Sequence, residues 1–338
     1  MHPGIGSKPD LTNIISFAIL RAQKVGADTS TSGRPPLERK HLKIQHWAVT
    51  AFKIFKWRKL FIMNELSDPV KTTKDYYDSD DAHNFYYKIW GGEDLHLGIY
   101  ESEKDSIYDA SRRIIRRMAE KSKFKGAGAR VIDLGGGFSG SARYLAKYYG
   151  WKVVVLNLSE AENNRGRRMN REQGLDHLIE VVDGNFNNIP YEDESFDLVW
   201  SQDAILHSDN RPMVLQEAYR VLKPGGELIF SDPMQADDCP PDVLKPIYER
   251  IHLLSLGSPE FYRECAGKTG FRDMGYESLD DHLTLHYSRI LQEMENREVE
   301  LEQVVNRTYI ENMKKGLRHW IDGGKKGYLA WGIFHFEK

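Results

Sequence analysis

From Arg130 onward, short apolar runs rich in β-branched residues alternate with stretches whose apolar positions recur every three or four residues. The runs predict buried strands, and the longer stretches predict helices laid over them. Val131 and Ile132 open the first strand, and Ala142, Leu145 and Ala146 mark the helix after it. Lys152–Leu158 (KVVVLNL) is a second strand. A polar helix starts at Ser159, with Glu162 three residues on as its capping-box partner. Leu178–Val182 and Phe196–Trp200 are the third and fourth strands. Met213–Leu222 is a helix stopped by Lys223-Pro224-Gly225-Gly226, and Glu227–Phe230 is the fifth strand. The stretch 232–270 fits no sheet unit and is expected to be helical and lid-like. A sixth strand opens at Gly270-Phe271. Leu283–Trp320 predicts one long or broken helix, and Tyr328–Phe336 (YLAWGIFHF) the last strand. This rhythm implies a doubly wound α/β fold: a seven-stranded, mostly parallel, Rossmann-like sheet closed by a hairpin-like pair.

The amino-terminal pattern is different. Residues 1–60 hold eleven lysines and arginines against three acids, with a loop-like GADTSTSGRPP at 26–36. An amphipathic basic helix is expected from Lys43 to Met63, where Ile44, Trp47, Ala51, Phe55 and Ile62 roughly share a face. Residues 1–67 therefore form a basic extension for which three readings stay open. It is a leader for organellar import, an interfacial helix, or a set of helices packing on the body. The body is expected to span 68–338.

Composition narrows the class. The 338 residues can bury a sizeable core, and a net charge of −3 with mixed signs does not suggest nucleic acid as a partner. Cys239 and Cys265 have neither metal-ligand nor disulfide-framework spacing, so a cytoplasmic, reducing setting is the default and no metal is expected. No apolar run approaches the roughly 20 residues of an integral membrane segment.

Chemistry enters at ARVIDLGGGFSGSARYL, a buried strand, a glycine turn and a helix start. Gly135, Gly137 and Gly140 satisfy G-x-G-x-x-G, which a dinucleotide-binding oxidoreductase would use to seat a pyrophosphate on the helix N-terminus. That reading wants an acid about 20 residues on for the ribose, and Asn157 stands there. Asp133, two residues before Gly135, is poorly placed beside phosphates. It suits a cofactor that brings positive charge, the α-ammonium and sulfonium of S-adenosylmethionine.

Three further pieces carry a family resemblance: DAHNFYYKIWGGEDLHLGIY (81–100), VVDGNFNNIPYEDESFDLVWSQDAILHS (181–208) and the LKPGG turn (222–226). With the glycine turn they resemble the class I S-adenosylmethionine-dependent methyltransferases over roughly residues 70–338. The match is strongest to the sarcosine/dimethylglycine N-methyltransferases that make glycine betaine. The layout also resembles phosphoethanolamine methyltransferases and, in WGGEDLHLGIY, tocopherol-type enzymes. The resemblance implies a small-molecule amine acceptor, a monomer or homodimer, and lid elements near 76–100 and 232–270.

It also implies site residues. Gly135, Gly136 and Gly137 would admit the methionine part of the cofactor. Ser139 replaces the third glycine of D-x-G-x-G-x-G and is expected inside the helix. Asn157 and Leu158 would lie at the ribose, with Ser159 and Glu162 sharing the hydrogen bonding. Asp183 would accept from the adenine amino group, with Gly184, Asn185 and Phe186 around the ring. His96 and Gly98 would approach the cofactor carboxylate, and Ser201 and Gln202 would lie beside the cofactor. Asp203 and His207 are the candidates for substrate contact and proton removal, since an amine attacks only through a free lone pair. Tyr77 would be a lid tyrosine over the methyl donor.

Aromatic density points the same way. Tyr76, Tyr77, Phe85, Tyr86, Tyr87 and Trp90 crowd residues 76–90. Tyr76, Tyr87 and Trp90 are the expected cage for a quaternary ammonium, where each ring contributes about 0.5–2 kcal/mol. A carboxylate on the substrate needs a cation, and Arg143, Arg211 and Arg263 are candidates.

Overall fold

The computed structural model describes residues 68–102 and 104–338. The expected basic extension and its helix at 43–63 lie outside the described residues. Two short helices, α1 (Asp68–Tyr77) and α2 (Asp80–Ile89), lead to α3 (Ile107–Lys121). The sheet units follow in order: β1 (Arg130–Leu134), α4 (Gly140–Tyr149), β2 (Lys152–Asn157), α5 (Glu160–Glu172), β3 (Ile179–Asp183), β4 (Phe196–Gln202), α6 (Arg211–Val221) and β5 (Leu222–Gln235). Beyond them come α7 (Lys245–Arg250), α8 (Pro259–Thr269), β6 (Arg272–Ser278), α9 (Asp280–Asn296), α10 (Glu298–Leu301), α11 (Arg307–Lys325) and β7 (Leu329–Glu337).

The strand order is β3-β2-β1-β4-β5-β7-β6. β1 to β5 are parallel, and β7 runs antiparallel between β5 and β6. Alternation along the central strands feeds two cores, because successive side chains leave a strand on opposite faces. Val131, Val153, Val155, Leu198 and Trp200 pack under α3, α4 and α9. Ile132, Leu134, Val154, Leu156, Val199 and Phe230 pack under α6 and α8. A sheet covered on both faces needs apolar residues at both parities, which is why these strands read as continuous apolar runs.

Several expectations are redrawn. β5 runs to Gln235, so 232–235 belongs to the sheet, and α8 packs on α6 and β6 as an ordinary covering helix. Of the expected lid at 232–270, only the stretch between Gln235 and α8 stands outside the sheet units. The long helix is broken into α9, α10 and α11. Ser159 caps α5 by accepting from the Glu162 amide, but the Glu162 carboxylate accepts from Asn157 Nδ2 at 2.9 Å rather than completing a capping box. Ser139 is not helical: it is the N-cap of α4 with φ 64°, a left-handed conformation that favours glycine.

Candidate functional site

β1 pairs with both β2 and β4, so the chain leaves β1 in opposite directions and a crevice opens at the carboxyl ends of these strands. A cleft fills it. Two further lobes join it. One shares Leu95, Gly135, Gly137 and Gln202 with the cleft; the other shares Tyr77, Leu95, Asp203 and His207.

The first lobe lies at the glycine turn. Gly135 has φ 75°, and a Cβ there would stand 2.4 Å from Ala204 Cβ. A Cβ on Gly136 would stand 2.6 Å from Asp133 Oδ2. Asp133 is buried, its Oδ2 has no hydrogen-bond partner, and burial pushes its carboxyl up to about 7. A carboxylate under the turn repels phosphates and lacks only a cation. Gln202 completes the lobe: its Oε1 accepts from Ser141 Oγ (2.7 Å) and Trp200 Nε1 (3.0 Å). That fixes the amide, so the buried Nε2 is an unused donor beside the turn. His96 also lines this lobe. Burial alone would lower its imidazole, but Asp94, 3.7 Å from Nε2, raises it, and Nδ1–H donates to the Leu97 carbonyl.

The central cleft is lined by Asn157, Leu158, Ser159, Glu162, Gly184, Asn185 and Phe186. Glu162 is buried, which pushes its carboxyl up to about 7, and the Asn157 amide holds one of its oxygens. Together they offer a neutral-leaning pair of polar groups at the end of β2. Ser159 is spent on its cap and on Asp78, to which its hydroxyl donates at 2.6 Å.

Beyond the cleft, the Tyr77 hydroxyl shares a 3.0 Å hydrogen bond with His207 Nε2, edge to face. His207 ends a 3-10 turn (Ile205–His207) anchored by the Leu206 amide, which donates to Asp232 Oδ1. Burial, then Arg211, lowers the His207 imidazole to about 4, and burial drives the Tyr77 phenol far up, so both are neutral at ordinary pH. Asp203 has φ 52° and its carboxylate accepts from the Leu97 amide (2.6 Å), Ser231 Oγ (2.7 Å) and Trp331 Nε1 (2.9 Å). The third lobe lies past this pair, walled by Tyr86, Trp90, Tyr287, Trp320 and Arg250.

A family model described as a methyltransferase domain matches residues 132–230. The chain is 55% identical to sarcosine/dimethylglycine N-methyltransferase of Halorhodospira halochloris over 269 residues, covering 80% of this chain and 96% of the relative. It is 50% identical to the enzyme of the same name from Aphanothece halophytica, covering 82% and 100%. A solved Galdieria sulphuraria structure, of a protein provisionally assigned to sarcosine and dimethylglycine methylation, superposes with a TM-score of 0.74 at 39% identity, covering 78% and 98%.

The chain belongs to the sarcosine/dimethylglycine N-methyltransferase family.

Within this methyltransferase several expected site residues lie elsewhere. Asp183 does not line the cleft; its carboxylate pairs with Arg167 at 2.5 Å and accepts from Asn163 Nδ2 at 2.8 Å. Asn185, two residues on, faces the cleft instead. Gly98 is packed against α3, where a Cβ would meet the Ala110 carbonyl carbon at 2.5 Å, and its amide donates to His286 Nδ1. Ser201 is buried and donates to the Leu134 carbonyl, tying β4 to β1. Tyr87 is 42% exposed and lies under Arg165, outside the lobes. Tyr76 sits behind the wall, its hydroxyl 3.0 Å from that of Tyr309. Trp90 does line the third lobe.

The three candidate arginines are all engaged. Arg143 pairs with Glu93 and Asn170, Arg211 binds Ser255 and the Leu206 carbonyl, and Arg263 pairs with Asp273. Lys74, Leu95, Ala204, Arg250, Tyr287 and Trp320 line the lobes without having been expected. For Arg250, Tyr287 and Trp320 no local motif exists, because α7, α9 and α11 approach the site only through tertiary packing.

Proposed function

We propose that the protein methylates sarcosine and N,N-dimethylglycine with S-adenosylmethionine, giving glycine betaine. One observation carries the reading: the cleft at the strand ends, which carries Asn157, Glu162, Asn185 and Gln202, opens past Tyr77 and His207 onto an aromatic lobe that Arg250 lines. The residues present fit the cofactor. Asp133 would take the α-ammonium and Gln202 Nε2 the carboxylate; Asn157 and Glu162 would take the ribose hydroxyls. Gly184, Asn185 and Phe186 would surround the adenine. When bound, the cofactor supplies an electrophilic methyl group on its sulfonium.

The chain's own task is placement and water exclusion. An alkylammonium of pKa about 10 must shed its proton before its lone pair can attack. A neutral His207 lowered to about 4 is a poor acceptor for that proton. The reading of His207 as general base therefore gives way to another: the site binds the free amine, and the proton leaves to water before closure. Tyr77 and His207 act on position, holding the partition between the two lobes with one shared hydrogen bond. Tyr86, Trp90, Tyr287 and Trp320 face the charge that develops on nitrogen, which aromatic faces stabilise.

A methyl-transfer panel of glycine, sarcosine, dimethylglycine, phosphoethanolamine and a prenylated phenol tests the proposal. Turnover of sarcosine and dimethylglycine is expected. Silence on both, with turnover of the phosphobase or the phenol, would overturn it.

A further inference from the structure

We infer that Arg250 binds the carboxylate of the methyl acceptor, and that Gly316 provides the seat that holds the guanidinium at the lobe. This rests on the amino acid substrate reading above and adds the residue that selects it.

Arg250 is the last residue of α7, one turn after the buried Ile247, so the two share the face that packs on α11. The stem of Arg250 crosses α11 at Gly316. A Cβ there would stand 1.9 Å from both Cδ and Nε of Arg250. Mid-helix glycine costs about 1 kcal/mol relative to alanine, and here the missing side chain makes room for the arginine.

The guanidinium has no anionic partner among the described residues. Among the described residues its one hydrogen-bond partner is the Met313 sulfur, 2.7 Å from Nη2, and a thioether is a weak acceptor. Its Nε is buried with no partner. The carboxylate that shares the lobe, Asp203, is already held by the Leu97 amide, Ser231 and Trp331. An uncompensated guanidinium beside aromatic walls is costly to bury. A substrate carboxylate supplies the missing charge, and its two oxygens match the planar fork.

The chemistry of the acceptor closes the argument. In dimethylglycine the nitrogen stands two bonds from the carboxylate carbon. With the carboxylate on Arg250, the amine is confined to the same lobe as Tyr77, Tyr86, Trp90 and Tyr287. The product, cationic at nitrogen and anionic at carboxylate, is matched at both ends.

The test compares Arg250→Met, Arg250→Lys and Gly316→Ala with the unaltered enzyme. Steady-state kinetics use dimethylglycine and dimethylaminoethanol, the tertiary amine with a hydroxymethyl group in place of the carboxylate. Calorimetry gives the affinity for S-adenosylhomocysteine. Arg250→Met is expected to raise KM for dimethylglycine roughly hundredfold while cofactor affinity stays within about twofold. The preference for dimethylglycine over dimethylaminoethanol should collapse. Arg250→Lys should restore part of it, because the charge remains without the fork. Gly316→Ala should raise the same KM with the arginine still present. If Arg250→Met does not fold, as judged by melting and cofactor binding, the selectivity ratios of the other two variants decide. An unchanged KM and an unchanged preference overturn the inference. Loss of turnover from a variant that still binds dimethylglycine normally would do so as well. An unaltered enzyme silent on both amino acids sinks the substrate reading and this inference with it, whereas normal turnover with an indifferent Arg250 sinks only this one.

Discussion

Tyr77 and His207 stand 130 residues apart in the chain, yet the phenol hydroxyl lies 3.0 Å from the imidazole Nε2, at the junction of the central cleft and the aromatic lobe. Two neutral groups share one hydrogen bond there, each the main polar partner of the other. His207 Nδ1 is itself buried without a partner. The bond aligns the partition without supplying a charge.

Tyr77→Phe removes that alignment and leaves a buried ring nitrogen unpaired, which costs about 1–3 kcal/mol. The melting temperature should fall, and kcat should fall about tenfold to hundredfold. Affinity for S-adenosylhomocysteine should change far less. Kinetics and calorimetry on the same preparation check this, and an unaffected kcat would remove Tyr77 from the mechanism.

Because His207 is held near 4, its ionisation should not shape the rate near its ordinary value when the cofactor is saturating. Instead kcat/KM for dimethylglycine should rise about tenfold per pH unit from 7 towards 9, following the free amine. His207→Asn should lower the curve without shifting it. An inflection between 6 and 7 that vanishes in this variant would restore the general-base role.

If Asp133 takes the α-ammonium as proposed, cofactor affinity falls with falling pH. Its carboxyl sits at about 7 in the free protein because it is buried without a cation. An α-ammonium binds the ionised form, so below pH 7 binding must first expel a proton. Affinity for S-adenosylhomocysteine should therefore fall up to about tenfold per unit as pH drops from 7 to 5. Asp133→Asn should bind weakly and flatten that dependence.

The same residue sets a stability trend. A carboxyl raised in the folded state favours folding only while protonated, so its destabilising effect sets in above its unfolded value near 4 and is complete above about 7. The free Asp133→Asn variant should therefore melt higher than the unaltered protein at pH 8 and level with it at pH 4. Thermal melts at the two pH values test the sign.

Asp183 and Asn185 offer a paired comparison. Asp183 is half exposed and tied to Arg167, so Asp183→Asn should leave S-adenosylhomocysteine affinity within about threefold. Asn185→Ala removes a polar group from the cleft wall and should weaken binding by about tenfold. The opposite ranking in calorimetry would return the adenine contact to Asp183.

The sheet was legible because its signal is local. Strand and helix periods, the glycine turn after β1 and the LKPGG stop are written in consecutive residues, and β1 to β4 fall within a few residues of where the pattern puts them. The lining of the cleft and of the glycine-turn lobe was legible for the same reason: Asp133, Gly135, Asn157 and Gln202 lie at or just past strand ends, Glu162 lies in the first turn of α5, and parallel strands gather their carboxyl ends at one edge. Proximity in sequence misled where side-chain direction decides. Asp183 and Gly98 sit beside true lining residues, yet one turns onto α5 and the other onto α3.

By itself, then, the order of residues determined the seven-stranded architecture, the family and the strand-end edge at which the cleft opens, since each depends on short-range periodicity and strand termini. Only tertiary packing decided the aromatic lobe. Arg250 reaches it because α7 folds onto α11 at a glycine, Tyr287 and Trp320 because α9 and α11 cover the same face, and Tyr77, the last residue of α1, meets His207 in the turn that follows β4. Those contacts are set by how helices far apart in sequence share one apolar core, and no spacing along the chain encodes them.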